Sequence, residues 1–298
     1  MIVTKVVAFH SYKGGTGKST LSANLSALMA KRGFSVFLLD MDLYAPSLHA
    51  YFDVKPKKWI NDFLFENAEL DDITFDRTEI IDKFYHNASF KQNGGKILTA
   101  FSNSSRDEVY KIDGTTRNET SKMQLVRRFI LLRENIVATY NPDYIIIDTS
   151  PGIRYWSINS LVIAEIIILS LKSDGIDIKG THVLSDEIYK NFTKLGTKSY
   201  LLLNRVAGYC NPPNVEVIFS KEKKLENSSN QSSFSEVINI QNNAMLNLKM
   251  ELGMDIISSI PCYCDIQFDN DEFLTVLKCP DHPFTSNLND LINRLENT

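Results

Sequence analysis

Short apolar, β-branched runs alternate along the chain with longer segments whose apolar residues recur every three to four positions. The first run, Ile2 to Phe9, ends at a glycine turn, and Leu21 to Lys31 follows with Leu21, Leu25, Leu28 and Met29 at helical spacing. This predicts strand, loop and helix. After Gly33, Ser35 to Asp40 (SVFLLD) is a second compact run, of the kind covered on both faces in a parallel sheet. The signature returns at Lys96 to Ala100, Tyr144 to Asp148, Ile163 to Leu169, Tyr200 to Asn204 and Asp255 to Ile260. The clearest helical pattern between them is Lys122 to Tyr140, with Met123, Val126, Ile130, Val137 and Tyr140 on one predicted face. Buried strands alternating with helices predict an α/β fold, a doubly wound, mostly parallel sheet with helices on both faces.

Two stretches break the alternation. Residues 102–121 are polar, and residues 206–243 contain Asn211-Pro-Pro, the basic run Lys221-Glu-Lys-Lys and a Ser/Asn-rich tract. Both read as surface excursions or long loops, neither apolar enough to build its own core. One elaborated domain over residues 1–298 is therefore expected, with no fixed-period repeat.

Composition narrows the class. Hydrophobic residues make up 43% and charged residues 23%, an ordinary globular balance that excludes disordered and fibrous chains. The formal charge of -4 supplies no global positive field for nucleic acid or anionic lipid, so contact with DNA or membrane is disfavoured. Four cysteines are too sparse for a disulfide scaffold and fit a reducing compartment. The most apolar stretch, Ser160 to Leu171, is about half of what a bilayer needs and carries Glu165. A cytoplasmic protein is expected.

The central chemistry is Lys13-Gly-Gly-Thr-Gly-Lys-Ser-Thr20, between the first strand and the first helix. Without side chains at Gly14, Gly15 and Gly17, consecutive backbone N–H groups, that of Thr16 included, can curl around phosphate oxygens, and the helix that follows adds its positive end. Lys18 would bridge the β- and γ-phosphates, Ser19 would offer a hydroxyl to Mg²⁺, and Thr20 would bond the α-phosphate. Tyr12 stands where the common P-loop pattern has its first glycine. The extra Lys13, at the start of the loop, points away from its own nucleotide and is available to a facing subunit.

At these residues the chain resembles the ParA/MinD-like ATPases, a branch of the P-loop proteins defined by this Lys-Gly-Gly-x-Gly-Lys-Ser/Thr loop. Asp40-Met-Asp42-Leu-Tyr-Ala-Pro-Ser47 resembles the family's switch I and is similar to the form found in Mrp-like members, with Ala45 in place of a glycine. Tyr144-Ile-Ile-Ile-Asp-Thr-Ser-Pro-Gly152 resembles the Walker B strand and switch II, and Leu201-Leu-Leu-Asn-Arg205 the strand end whose Asn reads adenine. Ile260-Pro261 matches the last strand and adenine-side loop. The resemblance implies ATP/ADP and Mg²⁺ as cofactors, with Asp148 holding the metal through water, Asp40 as its outer partner and Asp42 orienting the attacking water. It also implies Lys13 reaching across an ATP-bound homodimer, hydrolysis that is slow and partner-stimulated, and an unidentified protein partner.

Weaker features point elsewhere. Cys262-Tyr-Cys264 could supply four sulfurs across a dimer axis, and relatives that deliver nickel or iron–sulfur clusters carry interface cysteines; a Mrp-like or nickel-insertion-like delivery ATPase is the alternative function. Cys210, Cys279 and His282 lack metal-ligand spacing. Asn287 to Asn297 places Leu288, Leu291, Ile292 and Leu295 on one face, but its polar face has Asp290 and Glu296 against Arg294, so packing onto the domain is favoured over a membrane surface. Lys55, Lys57 and Lys58, with Lys221 to Lys224, are the basic clusters and read as solvated surface. Asn-x-Ser/Thr triplets such as those at Asn87 and Asn118 are chance matches.

Overall fold

A computed structural model of the chain describes residues 3–83, 95–115, 119–172, 174–206, 246–267 and 273–298. Its frame is an eight-stranded sheet in the order β3-β4-β2-β5-β1-β6-β7-β8. The strands are β1 (Lys5–His10), β2 (Ser35–Met41), β3 (Phe75–Asp76), β4 (Lys96–Ala100), β5 (Tyr144–Thr149), β6 (Ile166–Leu171), β7 (Lys198–Val206) and β8 (Asp255–Pro261). All neighbours pair parallel except β3, which runs antiparallel to β4 at the edge. The predicted doubly wound sheet is therefore the observed one.

Alternation of side chains splits the interior into two cores, as a period of two residues requires. Val6, Ala8, Phe37, Leu39, Ile145 and Ile147 face one core. Val7, Phe9, Val36, Leu38, Tyr144 and Ile146 face the other. The helix Lys18–Lys31 lies in the second core and is buried nearly all round, including Ser22, Asn24 and Ser26. The helix Pro283–Glu296 packs beside it with Leu288, Leu291, Ile292 and Leu295 fully buried, the face expected from sequence.

Three expectations are corrected. Of the two readings of residues 102–121, surface excursion or long loop, the loop gives way to the helix Arg106–Thr115 and the start of the helix Glu119–Tyr140. The first is too polar to be recognised by pattern, and it is anchored by tertiary contacts, with Ile112 buried and its carbonyl accepting from Trp156 Nε1 at 3.4 Å. The long helix buries Leu125, Phe129, Leu132 and Ile136, whereas Met123 is 60% exposed. That stripe carries the bulkier side chains, and the sheet selects it over the predicted face, of which only Val137 and Tyr140 pack against the core. The run assigned to residues 163–169 begins later, because Ser160–Ile163 forms a 3₁₀ turn before β6. Apart from Val206, the excursion at 206–243 lies outside the described residues, as do Cys210 and Lys221 to Lys224.

Candidate functional site

The ends of β1, β2 and β5 lie side by side, so three loops converge where a parallel sheet places its ligands. Between them is a cleft of about 460 Å³ whose lining includes Gly14, Gly15, Gly17, Lys18, Ser19, Thr20, Asp42, Ser150 and Arg205. The loop before the helix Lys18–Lys31 turns through Gly15 at φ 75° and Gly17 at φ 87°, conformations open to glycine and strained for other residues. Its shape is fixed from behind. Thr16 O accepts from Asn204 Nδ2 at 2.7 Å and from Ser170 Oγ at 3.0 Å, so β6 and β7 both hold the loop.

Lys18 is buried and its ammonium donates to Ser11 Oγ at 2.9 Å, while Ser11 donates to Lys13 O at 2.6 Å. The lysine is thereby folded along the loop. Ser19 Oγ donates to Asp148 Oδ2 at 2.5 Å, and the other oxygen, Asp148 Oδ1, is buried without a hydrogen-bond partner. Burial pushes the Asp148 carboxyl up to about 6 despite the opposing charge of Lys18 and the Ser19 hydrogen bond. Asp40 stands beside Asp148 in register and is raised well above the ordinary carboxylate range, first by burial and then by the charge of Asp148. Its oxygens accept from Asp42 N at 3.1 Å and Leu48 N at 3.0 Å, so Asp40 shapes the segment after β2.

Asp42 Oδ1 gathers three donors: Ser150 Oγ at 2.7 Å, Ala45 N at 3.1 Å and Tyr44 N at 3.2 Å. Ala45 keeps a negative φ, which explains why glycine is dispensable there. Lys13 does not line the cleft; its charge acts on Asp177 instead. Asn204 spends its amide on the loop and on Arg205 N at 3.0 Å, and Pro261 pairs with Val206, neither of them lining the cleft. The cleft residues that sequence did not single out are Tyr44, Tyr51 and Arg154, together with Ser11 behind Lys18. Tyr51 OH lies 2.9 Å from Thr20 Oγ1. Tyr44 and Arg154 sit within or just past the two switch-like motifs, the one signal that could have found them.

A family model described as AAA domain, AAA_31, matches residues 4–199, more than half of the chain. The chain belongs to the ParA/MinD-like P-loop ATPases. An uncharacterized protein of Methanocaldococcus jannaschii is 26% identical over 184 residues, 61% of this chain and 64% of that protein, so the chain spans under two thirds of that relative's length. Among solved structures, MinD of Pyrococcus horikoshii OT3 complexed with Mg-ADP has a TM-score of 0.64 at 17% identity, covering 97% of this chain and 94% of that one. MinD in the MinC:MinD complex of Aquifex aeolicus has a TM-score of 0.67 at 17% identity over 99% and 97%. At that identity the likeness carries this ParA/MinD-like ATPase's fold.

Cys262 is half-buried, and Cys264 is disulfide-bonded, against the expectation that the cysteines stay reduced. Among the described residues no cluster of three or more His, Cys, Asp or Glu side chains is set to hold a metal, and no helix is long and apolar enough to cross a membrane.

Proposed function

We propose that this ParA/MinD-like chain binds and hydrolyses Mg-ATP and works as an ATP-dependent dimerisation switch for spatial organisation, partitioning or regulation. The observation that carries the reading is the convergence of Lys18, Ser19 and Asp42 on one cleft, with Asp148 buried behind it and bonded to Ser19. MinD of known structure binds Mg-ADP, and another MinD forms a complex with MinC, which supports a nucleotide-dependent partner here.

The residues fit Mg²⁺. The paired Ser19 hydroxyl and Asp148 carboxylate, with one orphaned buried oxygen, form the kind of sparse oxygen set this ion uses. Ser19 would ligate the ion and Asp148 would hold it through water, with Asp40 supporting that carboxylate. When bound, the ion neutralises charge on the β- and γ-phosphates. The backbone N–H groups of Gly14 to Thr20 cradle the phosphates, and Lys18 moves its ammonium from Ser11 to the β- and γ-oxygens. Asp42 orients the attacking water from the loop after β2. Arg205, at the mouth beside Gly17, and Asn204 with Pro261 border the base. Lys13, outside its own cleft, reaches the phosphates of a second copy. ATP thus favours a homodimer, whose protein partner reads the ATP state and is released after hydrolysis.

Phosphate release with and without Mg²⁺, combined with light scattering, tests this. ATP with Asp42→Ala is expected to give a long-lived dimer, and Lys13→Ala to abolish turnover. A chain that stays monomeric under every nucleotide condition overturns the switch.

A further inference from the structure

We propose that Arg154 recognises the terminal phosphate of ATP, held ready by the ring of Tyr44. The inference rests on reading the cleft as an ATP site. Arg32, Arg77, Arg128 and Arg133 each face a carboxylate; of the described arginines that do not, Arg154 and Arg205 are the two that line the phosphate cleft. Arg154 shares that lining with Lys18 and Ser19. A guanidinium that shares a cleft with a second cation suits an anion, because its fork of N–H donors matches phosphate oxygens.

The end of the cleft it occupies identifies which phosphate. Arg154 caps the helix Tyr155–Asn159 and follows Gly152, whose φ of 84° and hydrogen bond from N to Ser11 O at 2.8 Å fix the turn. Its Cζ lies 4.1 Å from the centroid of the Tyr44 ring. Tyr44 is pinned at both ends: its N–H donates to Asp42 Oδ1 at 3.2 Å and its hydroxyl donates to Asp113 at 2.9 Å. Arg154 therefore stands beside Tyr44, the residue whose backbone is tied to Asp42, the carboxylate proposed to orient the attacking water. Arg205 stands elsewhere, beside Gly17. Stacking over an aromatic face leaves the edge of a guanidinium free for oxygen ligands, and it spares the ordering entropy of a loose side chain. The helix Arg106–Thr115, through Asp113, is thereby tied to the residue that senses the phosphate.

Dissociation constants of the full-length protein for Mg-ATPγS and Mg-ADP, measured by calorimetry, test the assignment. Arg154→Ala is expected to weaken ATPγS by about tenfold or more while ADP changes by less than about twofold. Arg154→Lys should recover only part of the preference, because an ammonium lacks the fork. Tyr44→Phe, which keeps the ring, should retain more of it than Tyr44→Leu. Equal weakening of both nucleotides by Arg154→Ala, or of neither, overturns the inference while leaving the ATPase reading intact. A wild-type chain that binds neither nucleotide overturns that reading itself.

Discussion

The Ser150 hydroxyl donates to Asp42 Oδ1 at 2.7 Å, joining two residues 108 positions apart in sequence. The loop after β2 and the loop after β5 therefore meet on one oxygen atom, which also holds Tyr44 N and Ala45 N. Movement of either loop is felt by the other.

If Asp42 orients the attacking water, loss of its hydroxyl donor slows the chemical step more than it weakens binding. Ser150→Ala is expected to lower kcat by about tenfold, the scale of one hydrogen bond to a charged group, with KM changing by less than about threefold. Phosphate-release kinetics would read both numbers, and an unchanged kcat would detach Ser150 from the reaction.

Gly180→Ala should destabilise the protein, against helix propensity. Alanine is favoured over glycine by about 1 kcal/mol inside a helix, and Gly180 lies within the helix Gly175–Leu184. A Cβ there would fall 1.9 Å from Tyr12 Cδ1, in the ring that the P-loop presses onto this helix. A net cost of about 1–3 kcal/mol is expected from such overpacking, seen as a lower Tm. Combining it with Tyr12→Ala should recover part of the loss; a raised Tm for Gly180→Ala alone would refute the contact.

His10 gives a signed pH dependence. Thr149 Oγ1 spends its one proton on Phe9 O at 2.8 Å, so the contact of 2.7 Å with His10 Nδ1 requires a proton on that nitrogen. Burial, reinforced by the charge of Lys18, lowers the imidazole from 6.5 to about 3. The unfolded chain takes up a proton below about 6.5 and the folded one does not. Stability present above that pH is lost as pH falls toward 3, by up to about 1.4 kcal/mol per unit from this group. Asp148, raised to about 6, acts in the opposite sense between about pH 6 and 4. Comparison with His10→Asn isolates the histidine: urea midpoints should fall less for the variant between pH 7 and pH 5, and parallel curves would contradict the assignment.

Leu291 is fully buried in the helix Pro283–Glu296. Leu291→Ala should cost about 2–5 kcal/mol in chemical denaturation, the range for a leucine cavity in a packed core. A cost below 0.5 kcal/mol, typical of exposed positions, would show that this helix does not complete the second core.

The strands were legible because both faces of a parallel sheet are buried, which leaves apolar runs such as Tyr144 to Ile147 at the start of β5. The phosphate loop was legible because its chemistry depends on backbone freedom and one lysine at fixed spacing. The polar helix Arg106–Thr115 was not, since its place is set by Trp156 and Tyr44 from distant parts of the chain. For Asn204, sequence suggests a base-reading side chain, and the fold adds that its amide holds Thr16 O. Sequence by itself determined the alternation of elements, the C-terminal apolar face and the residues able to meet a phosphate, because these depend on local periodicity and side-chain type. Only the tertiary structure decided which face of the long helix is buried, that Asp42 answers to Ser150, and that Arg154 stands over Tyr44. Such pairings arise from the order in which the strands assemble, which no local window of residues contains.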